Sequence, residues 1–468
     1  MNNKVKNNNI AVALDIGTTK VCAIAGRLNE YDKLEIVGLG VVRSEGVSRG
    51  VVSNIDKTVK AIREAVEIAE KNAHCKFKVV HLGIAGQHIK SLHHHGLLVR
   101  HDSNSEISQA DIDRLIRDMH KLVLPPGDKI LHVVPQEFTV DDEKDIFDPI
   151  GMSGVRLEAN FHIITGQISA SRNIMRCVER ANLEVADITL EPIASATSVL
   201  GDEEKEAGVA LVDIGGGTTD ITIFKDGIIR HTCVIPFGGN VVTKDIREGC
   251  SVLGEQAEKL KVKFGSALAE EIVDNRTITI PGLKGREPKE ISEKNLARII
   301  QARVEEILDY VLWEIRRSGF ENQLIAGIVL TGGGALLRHI DLLAEYHTGL
   351  PCRVGQPVEH LAHGYSSQLA SPIFSTAIGL LKHTIDNYSQ NTKYVITENE
   401  KESPQNGTPI HQGESGIIGG SGSAGPDGVD EEDDTPEKEE GGEKKQGILG
   451  RLFTLTKEFF EQVPDSEF

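Results

Sequence analysis

A short pattern near the start of the chain, Ala13-Leu14-Asp15-Ile16-Gly17-Thr18-Thr19-Lys20, returns near its middle as Leu211-Val212-Asp213-Ile214-Gly215-Gly216-Gly217-Thr218-Thr219-Asp220. In each copy an apolar run enters, a glycine- and threonine-rich turn follows, and a second apolar run leaves (Val21-Cys22-Ala23-Ile24-Ala25, or Ile221-Thr222-Ile223-Phe224). That order reads as a β-hairpin. Glycine in the turn removes the Cβ that would keep backbone N–H groups away from a phosphate oxygen, and the threonine hydroxyls add donors. Asp15 and Asp213 are poor phosphate ligands by themselves, but they suit the water shell of a Mg²⁺ that neutralises phosphates. One isolated copy is equally an ordinary glycine-turn hairpin. Two copies constrain the chain to related halves that hold a nucleotide between them.

A third glycine cluster follows the same grammar. Gly327-Ile328-Val329-Leu330-Thr331-Gly332-Gly333-Gly334-Ala335 reads as a buried parallel strand, then a turn, then a helix predicted over 336–346. The end of such a strand is where ligands sit in α/β sheets, and flat glycine backbone there would admit an adenine or ribose. Without a ligand the same segment is a tight β-to-α turn.

In order and type these pieces resemble the actin, Hsp70 and sugar-kinase superfamily of ATP-binding proteins. Asp15, Gly17, Thr18, Thr19 and Lys20 fall on its first phosphate motif, and Asp213, Gly215, Gly216, Gly217, Thr218 and Thr219 on its second. Gly332, Gly333 and Gly334 fall on its adenosine motif. Glu191-Pro192-Ile193-Ala194-Ser195-Ala196 and Ser375-Thr376-Ala377-Ile378-Gly379-Leu380 resemble its two connecting motifs. Glu255 and Lys259, spaced i and i+4 at the start of a helix, resemble its adenosine contacts; a surface ion pair is the other reading of that spacing. The resemblance implies ATP with Mg²⁺ held through water by Asp15 and Asp213. It makes Glu191 the candidate for positioning an attacking water, its other role being to pack or cap the helix at Pro192.

Within the superfamily, Pro135-Gln136-Glu137-Phe138-Thr139-Val140-Asp141-Asp142, residues 148–159 and residues 349–357 resemble the bacterial cell-division family FtsA. The expected fold is therefore α/β: an actin-like (ribonuclease H-like) duplicated two-half fold with an FtsA-type inserted subdomain. The expected divisions are residues 1–91 with 163–203 for the first large subdomain and 92–162 for the insertion. Residues 204–254 with 323–390 form the second large subdomain and 255–322 a small one. A disordered acidic linker (391–446) and an amphipathic helix (447–463) complete the chain.

That last segment reads as a helix on its own evidence. Ile448, Leu452, Leu455, Phe459 and Val463 fall at helical spacing, and Leu449, Phe453 and Phe460 widen the stripe. The preceding residues 391–446 are rich in Gly, Ser, Pro and acid, too polar to fold. A helix on such a tether suits a membrane surface, with Lys444, Lys445, Arg451 and Lys457 toward headgroups; docking onto a protein groove is the other outlet for the stripe.

Of the net charge of −19, residues 391–446 supply −9 through 14 acidic and 5 basic side chains. An acidic chain does not suit nucleic acid. The six cysteines are scattered without a CxxC pair, and residues 1–9 are polar with no signal-type run, which predicts a cytoplasmic chain. His93, His94 and His95 read as surface histidines rather than metal ligands.

The FtsA resemblance implies an adaptor that binds ATP, assembles into actin-like protofilaments and hydrolyses ATP slowly at most. It also implies tethering of the tubulin-like protein FtsZ to the cytoplasmic face of the cell membrane at the division septum. FtsZ's C-terminal peptide would meet residues 255–322, where Arg298, Arg303, Arg316 and Arg317 are charged candidates, and later division proteins would meet the insertion. The type IV pilus protein PilM and other actin-like scaffolds share the core, and the tether with its terminal helix separates the readings. An Hsp70-like chaperone would need a β-rich substrate domain, and a sugar or acetate kinase a phosphoryl-acceptor pocket.

Overall fold

The computed structural model describes residues 10–100, 105–282 and 287–388; the acidic linker and the amphipathic segment with Ile448, Leu449, Leu452, Phe453, Leu455, Phe459 and Phe460 lie outside them. The tandem pattern becomes a duplicated architecture. β1 (Ala11–Ile16), β2 (Lys20–Leu28) and β3 (Leu34–Arg43) form an antiparallel meander. A small ribbon of β4 (Val47–Ser48) and β5 (Val51–Val52) leads into α1 (Ile55–Ala73), and β6 (Val79–Ile84) pairs parallel with β1.

The chain then leaves for a second sheet. β7 (Lys90–Val99), α2 (Gln109–Met119), β8 (Asp128–Val140), β9 (Glu143–Ile146) and β10 (Arg156–Gln167) build an antiparallel sheet in the order β7-β10-β8-β9. α2 lays Ile112, Leu115 and Met119 against it, over a core that includes Phe138, Leu157 and Phe161. α3 (Ile168–Arg180) brings the chain back, and β11 (Glu184–Leu190) completes the first sheet as β11-β6-β1-β2-β3.

Two helices, α4 (Glu191–Val199) and α5 (Asp202–Ala207), lead to the second half. There β12 (Val209–Ile214), β13 (Thr219–Lys225) and β14 (Ile228–Ile235) repeat the meander. The chain continues through α6 (Gly239–Cys250), α7 (Gly254–Phe264), the ribbon of β15 (Thr277–Ile280) and β16 (Lys289–Ser292), and α8 (Glu293–Ser318). β17 (Ile328–Thr331), α9 (Ile340–Thr348) and β18 (Cys352–Val354) close the sheet as β14-β13-β12-β17-β18, the same topology as the first. Finally α10 (Ser375–Tyr388) packs on α4, β1 and β2.

β1 and β12 are buried along their whole length, because each is a central strand covered on both faces. α8 follows its apolar spacing: Leu296, Ile300, Val304, Leu308, Val311 and Ile315 are buried. Its start is capped by Ser292, which accepts from the Asn295 N–H, and Gly319 ends it in the left-handed region. The helix predicted over 336–346 starts only at Ile340. Residues Gly333–Leu336 form a 3₁₀ turn and His339 takes φ 60°, because the chain must first clear the cleft before it can wind onto the sheet.

Candidate functional site

The β1–β2 and β12–β13 turns close in the same way: Gly17 N–H donates to the Lys20 carbonyl and Gly215 N–H to the Thr218 carbonyl, both at 2.9 Å. They meet tip to tip across the gap between the halves. A Cβ on Gly216 would stand 2.3 Å from Thr19 Cγ2, so a side chain there would push the halves apart. Gly332 is under a double constraint, with φ of +82° and a Cβ position 2.2 Å from Asp213 Oδ1.

Two adjoining cavities lie between the turns. The inner one, about 100 Å³, is lined by Asp15, Gly17, Thr18, Thr19, Lys20, Glu191, Asp213, Thr218 and Asp220, with glycines from all three clusters. The outer one, about 330 Å³, is largely apolar and shares Thr19, Lys20, Gly215, Gly216 and Gly333 with the inner; Gly334, Asn240, Glu258, Lys261, Val262, Leu336 and Phe374 also line it. A polar inner chamber opening into an apolar outer one matches a ligand with a charged end and a flat, greasy end.

Most of the residues singled out by sequence converge here, and three do not. Thr219 is fully buried behind the turn, its hydroxyl donating to the Phe237 carbonyl at 2.8 Å. Glu255 and Lys259 line neither cavity. Burial of Ala257 and Leu260 sets the rotation of α7 so that Glu258, Lys261 and Val262 face the cleft instead. Lys261 is held there by the Gly239 carbonyl at 3.1 Å and Thr243 Oγ1 at 2.8 Å. The histidines at 93–95 are exposed on β7, with the His93 ring 5.1 Å from that of His162.

The inner chamber is electrostatically loaded. Asp15 pairs with Lys20. Ser195 Oγ donates to Asp213 Oδ2 at 2.7 Å, and Thr376 Oγ1 reaches the same oxygen at 3.4 Å. Thr218 donates to Asp220 Oδ2 at 3.2 Å, whereas Asp220 Oδ1 is buried with no protein partner. Burial, then the nearby Asp213 charge, pushes Asp220 up to about 8. Burial also raises Asp213, and burial with the Asp15 and Asp220 charges lifts Glu191 well above the ordinary carboxyl range. Although burial works against its charge, Lys20 is held above the ordinary lysine value by Asp15.

Four carboxyls facing one lysine, with a buried carboxylate oxygen left over, fit a divalent cation with an oxygen shell. Asp15 and Asp213 can hold its waters, and Asp220 can too. Asp220 follows Thr-Thr in the second copy, where a lysine follows it in the first, and it pairs across from Asp213 where Cys22 pairs across from Asp15; the acid after Thr-Thr was the signal for it.

The chain is similar to known proteins over most of its length. The family described as Cell division protein FtsA matches residues 210–379, and the SHS2 domain inserted in FtsA matches residues 86–165. The Cell division protein FtsA of Pseudomonas aeruginosa is 40% identical over 406 residues, covering 87% of this chain and 96% of the relative. Among solved structures, the PilM-PilN type IV pilus biogenesis complex matches with a TM-score of 0.59 and 16% identity, over 80% of this chain and 98% of that one. MreB5 of Spiroplasma citri bound to ADP matches with a TM-score of 0.50 and 17% identity, over 82% and 99%. At that identity the two structures speak for an actin-like fold alone.

Proposed function

The chain belongs to the FtsA family of cell division proteins, and from that premise we propose that it binds ATP between its halves, polymerises on the cytoplasmic membrane and tethers the FtsZ ring there. The observation that carries the nucleotide part is the pair of opposed glycine turns around four carboxyls and one lysine. The turn N–H groups and the Thr18 and Thr218 hydroxyls can cradle phosphate oxygens, and Lys20 can meet their charge. Asp15 and Asp213, with Asp220, would hold the water shell of Mg²⁺, which supplies the countercharge when bound. The outer cavity beside Gly334, Leu336 and Lys261 would take the nucleoside, and the ADP carried by the Spiroplasma protein is in keeping with that.

Glu191, at the start of α4, is the candidate for orienting an attacking water. Burial, with the Asp15 and Asp220 charges beside it, raises its carboxyl well above the ordinary range. Slow turnover at most suits a nucleotide-dependent polymer.

FtsZ's C-terminal peptide would dock on the small subdomain, residues 255–322. Three of the arginines on α8 already have acidic partners: Arg303 with Asp245 and Glu306, Arg316 with Glu321, Arg317 with Glu314. Arg298 is exposed and, among the described residues, bonds the neighbouring Asn295 side chain at 3.4 Å, which makes it the one of these four arginines most available to an acidic peptide. Among the described residues no helix is long and apolar enough to cross a membrane. The anchor in this reading is the segment 447–463, on the strength of its apolar stripe in the sequence. Later division proteins would use the inserted sheet.

The test is liposome co-sedimentation with ATP, comparing the full chain with a version ending at Gln446, each with and without FtsZ. The full chain should pellet and carry FtsZ, and the shortened one should stay in solution. Equal pelleting, or no FtsZ in the pellet, would refute the adaptor reading.

A further inference from the structure

Away from the cleft, one group of side chains has ligand chemistry that the nucleotide site does not use. Successive side chains of a strand point to opposite faces, so His231 and Cys233 on β14 project to the same side. α8 packs across that side and brings Glu314 to them. His231 Nε2 stands 3.1 Å from Glu314 Oε2, and these atoms with Cys233 Sγ lie within 4.8 Å of one another. His231 and Glu314 are buried and Cys233 is half-buried. The other carboxylate oxygen accepts from Arg317 at 3.0 Å, and that guanidinium lies 5.1 Å from the Trp313 ring. Glu314 is thus oriented from behind, with Oε2 turned toward the histidine and the thiol.

We propose that His231, Cys233 and Glu314 form a binding site for a zinc-type divalent transition metal, with a fourth position open to water. An imidazole nitrogen, a thiolate and a carboxylate oxygen are a zinc set, whereas magnesium and calcium take oxygen ligands. Tetrahedral bonds of about 2.0–2.3 Å put these ligand atoms roughly 3.3–3.6 Å apart, so a pair as far apart as 4.8 Å has to close by a little over about an ångström. Uptake breaks the His231–Glu314 hydrogen bond, the neutral imidazole carrying its one proton on Nδ1, and releases the Cys233 thiol proton to solvent; Nε2, the thiolate and the carboxylate oxygen then each give a lone pair to the metal. Arg317 stays on the outer carboxylate oxygen, where it fixes the ligand's orientation.

The place of this site gives it a consequence. β14 is also the strand on which the inserted sheet sits. Ser91 Oγ donates to the Thr232 carbonyl, His162 Nε2 meets Thr232 Oγ1, and Gln136 Nε2 donates to the Ile229 carbonyl, each at 2.9 Å; Arg230 pairs with Glu137. A metal bridging β14 to α8 stiffens the joint between the insertion and the second half.

Titration of the full-length chain with Co²⁺ tests this, because a cobalt–thiolate bond gives a near-ultraviolet charge-transfer band. One equivalent should raise the band, and Zn²⁺ should abolish it. Cys233→Ser should remove it and Cys352→Ser should keep it. No band, or a band that survives Cys233→Ser, would overturn the site. Alkylation of the unaltered protein by iodoacetamide, mapped by peptide mass, guards against a variant that fails to fold. Zn²⁺ should protect Cys233 while leaving Cys75 and Cys352, also half-buried, as reactive as before; equal labelling of Cys233 with and without Zn²⁺ would overturn it as well.

Discussion

α4 and α10 cross so closely at Gly379 that an added Cβ would stand 1.7 Å from the Ala194 carbonyl oxygen and 2.4 Å from its carbon. Both are backbone atoms, so no rotamer change relieves the clash. Reaching an ordinary separation of roughly 3.5 Å requires the helices to part by nearly 2 Å. The crossing also sets the inner chamber: Ser195 and Thr376 both reach Asp213 Oδ2, Ser198 Oγ donates to the Ser375 carbonyl at 2.7 Å, and Ser375 Oγ lies 2.7 Å from Thr331 Oγ1. Gly379→Ala gains about 1 kcal/mol of helix propensity. Against that stand about 1–3 kcal/mol for overpacking and about 1 kcal/mol for each hydroxyl hydrogen bond that breaks. The net expectation is a destabilisation of about 1–3 kcal/mol, read as a lower urea midpoint, together with weaker binding of a fluorescent ATP analogue. Gly254→Ala, at the start of α7, is the control, since its Cβ would meet nothing within 4 Å; it should leave nucleotide affinity unchanged and should not lower the urea midpoint. A Gly379→Ala protein as stable as the parent, with the same nucleotide affinity, would refute the argument that this crossing holds the halves in register.

Further outcomes follow from the charges. Lys20→Met removes the cation that faces the four carboxyls and should lower ATP affinity at least tenfold, about 1.4 kcal/mol or more, by equilibrium dialysis; unchanged affinity would count against a phosphate role. Asp220→Asn removes a buried carboxyl whose folded-state value lies near 8, above its unfolded one, so its ionisation costs stability increasingly as pH rises toward 8. The variant should be at least as stable as the parent at pH 8 without ligand, yet bind Mg²⁺-dependent nucleotide more weakly; a loss of stability with normal binding would make Asp220 structural only. Burial pushes His81 down to about 4, so between about pH 6.5 and pH 4 the unfolded chain takes up a proton that the folded chain refuses. His81 should therefore contribute a fall in stability with acidification across that window of at most roughly 1.4 kcal/mol per pH unit, and His81→Gln should flatten the slope of the urea midpoint against pH. An unchanged slope would contradict this.

What could be read from the chain and what could not divide along a physical line. A hairpin turn is local: the strand that enters, the aspartate near its end and the glycine that bends lie within a few residues, so the turns at Asp15 to Gly17 and Asp213 to Gly215 were legible one by one. The same holds for α8, whose apolar spacing and serine cap are written in its own sequence. The cleft face of α7 was not, because that helix is rotated by which of its apolar residues find the core, and Ala257 and Leu260 decide it from a distance. The start of α9 was hidden for a related reason, since the path over the cleft costs residues that local propensity would have spent on helix. His231, Cys233 and Glu314 meet only because a strand and a helix dock, and no spacing announces that.

Asp220 lies between these cases. The second copy carries two more glycines than the first, and past them the charges differ: the first turn brings Lys20, while the second brings Asp220, which pairs across from Asp213 where Cys22 pairs across from Asp15. Two turns on separate ligands could have stayed alike. Two turns that close on a single chamber cannot both bring a lysine, since the two ammonium groups would repel each other when it is empty. Nor can both bring an acid, which would leave Asp15, Glu191 and Asp213 without a cation beside them. The opposite charges that the two turns bring are therefore themselves an argument that the halves share one site rather than carry two.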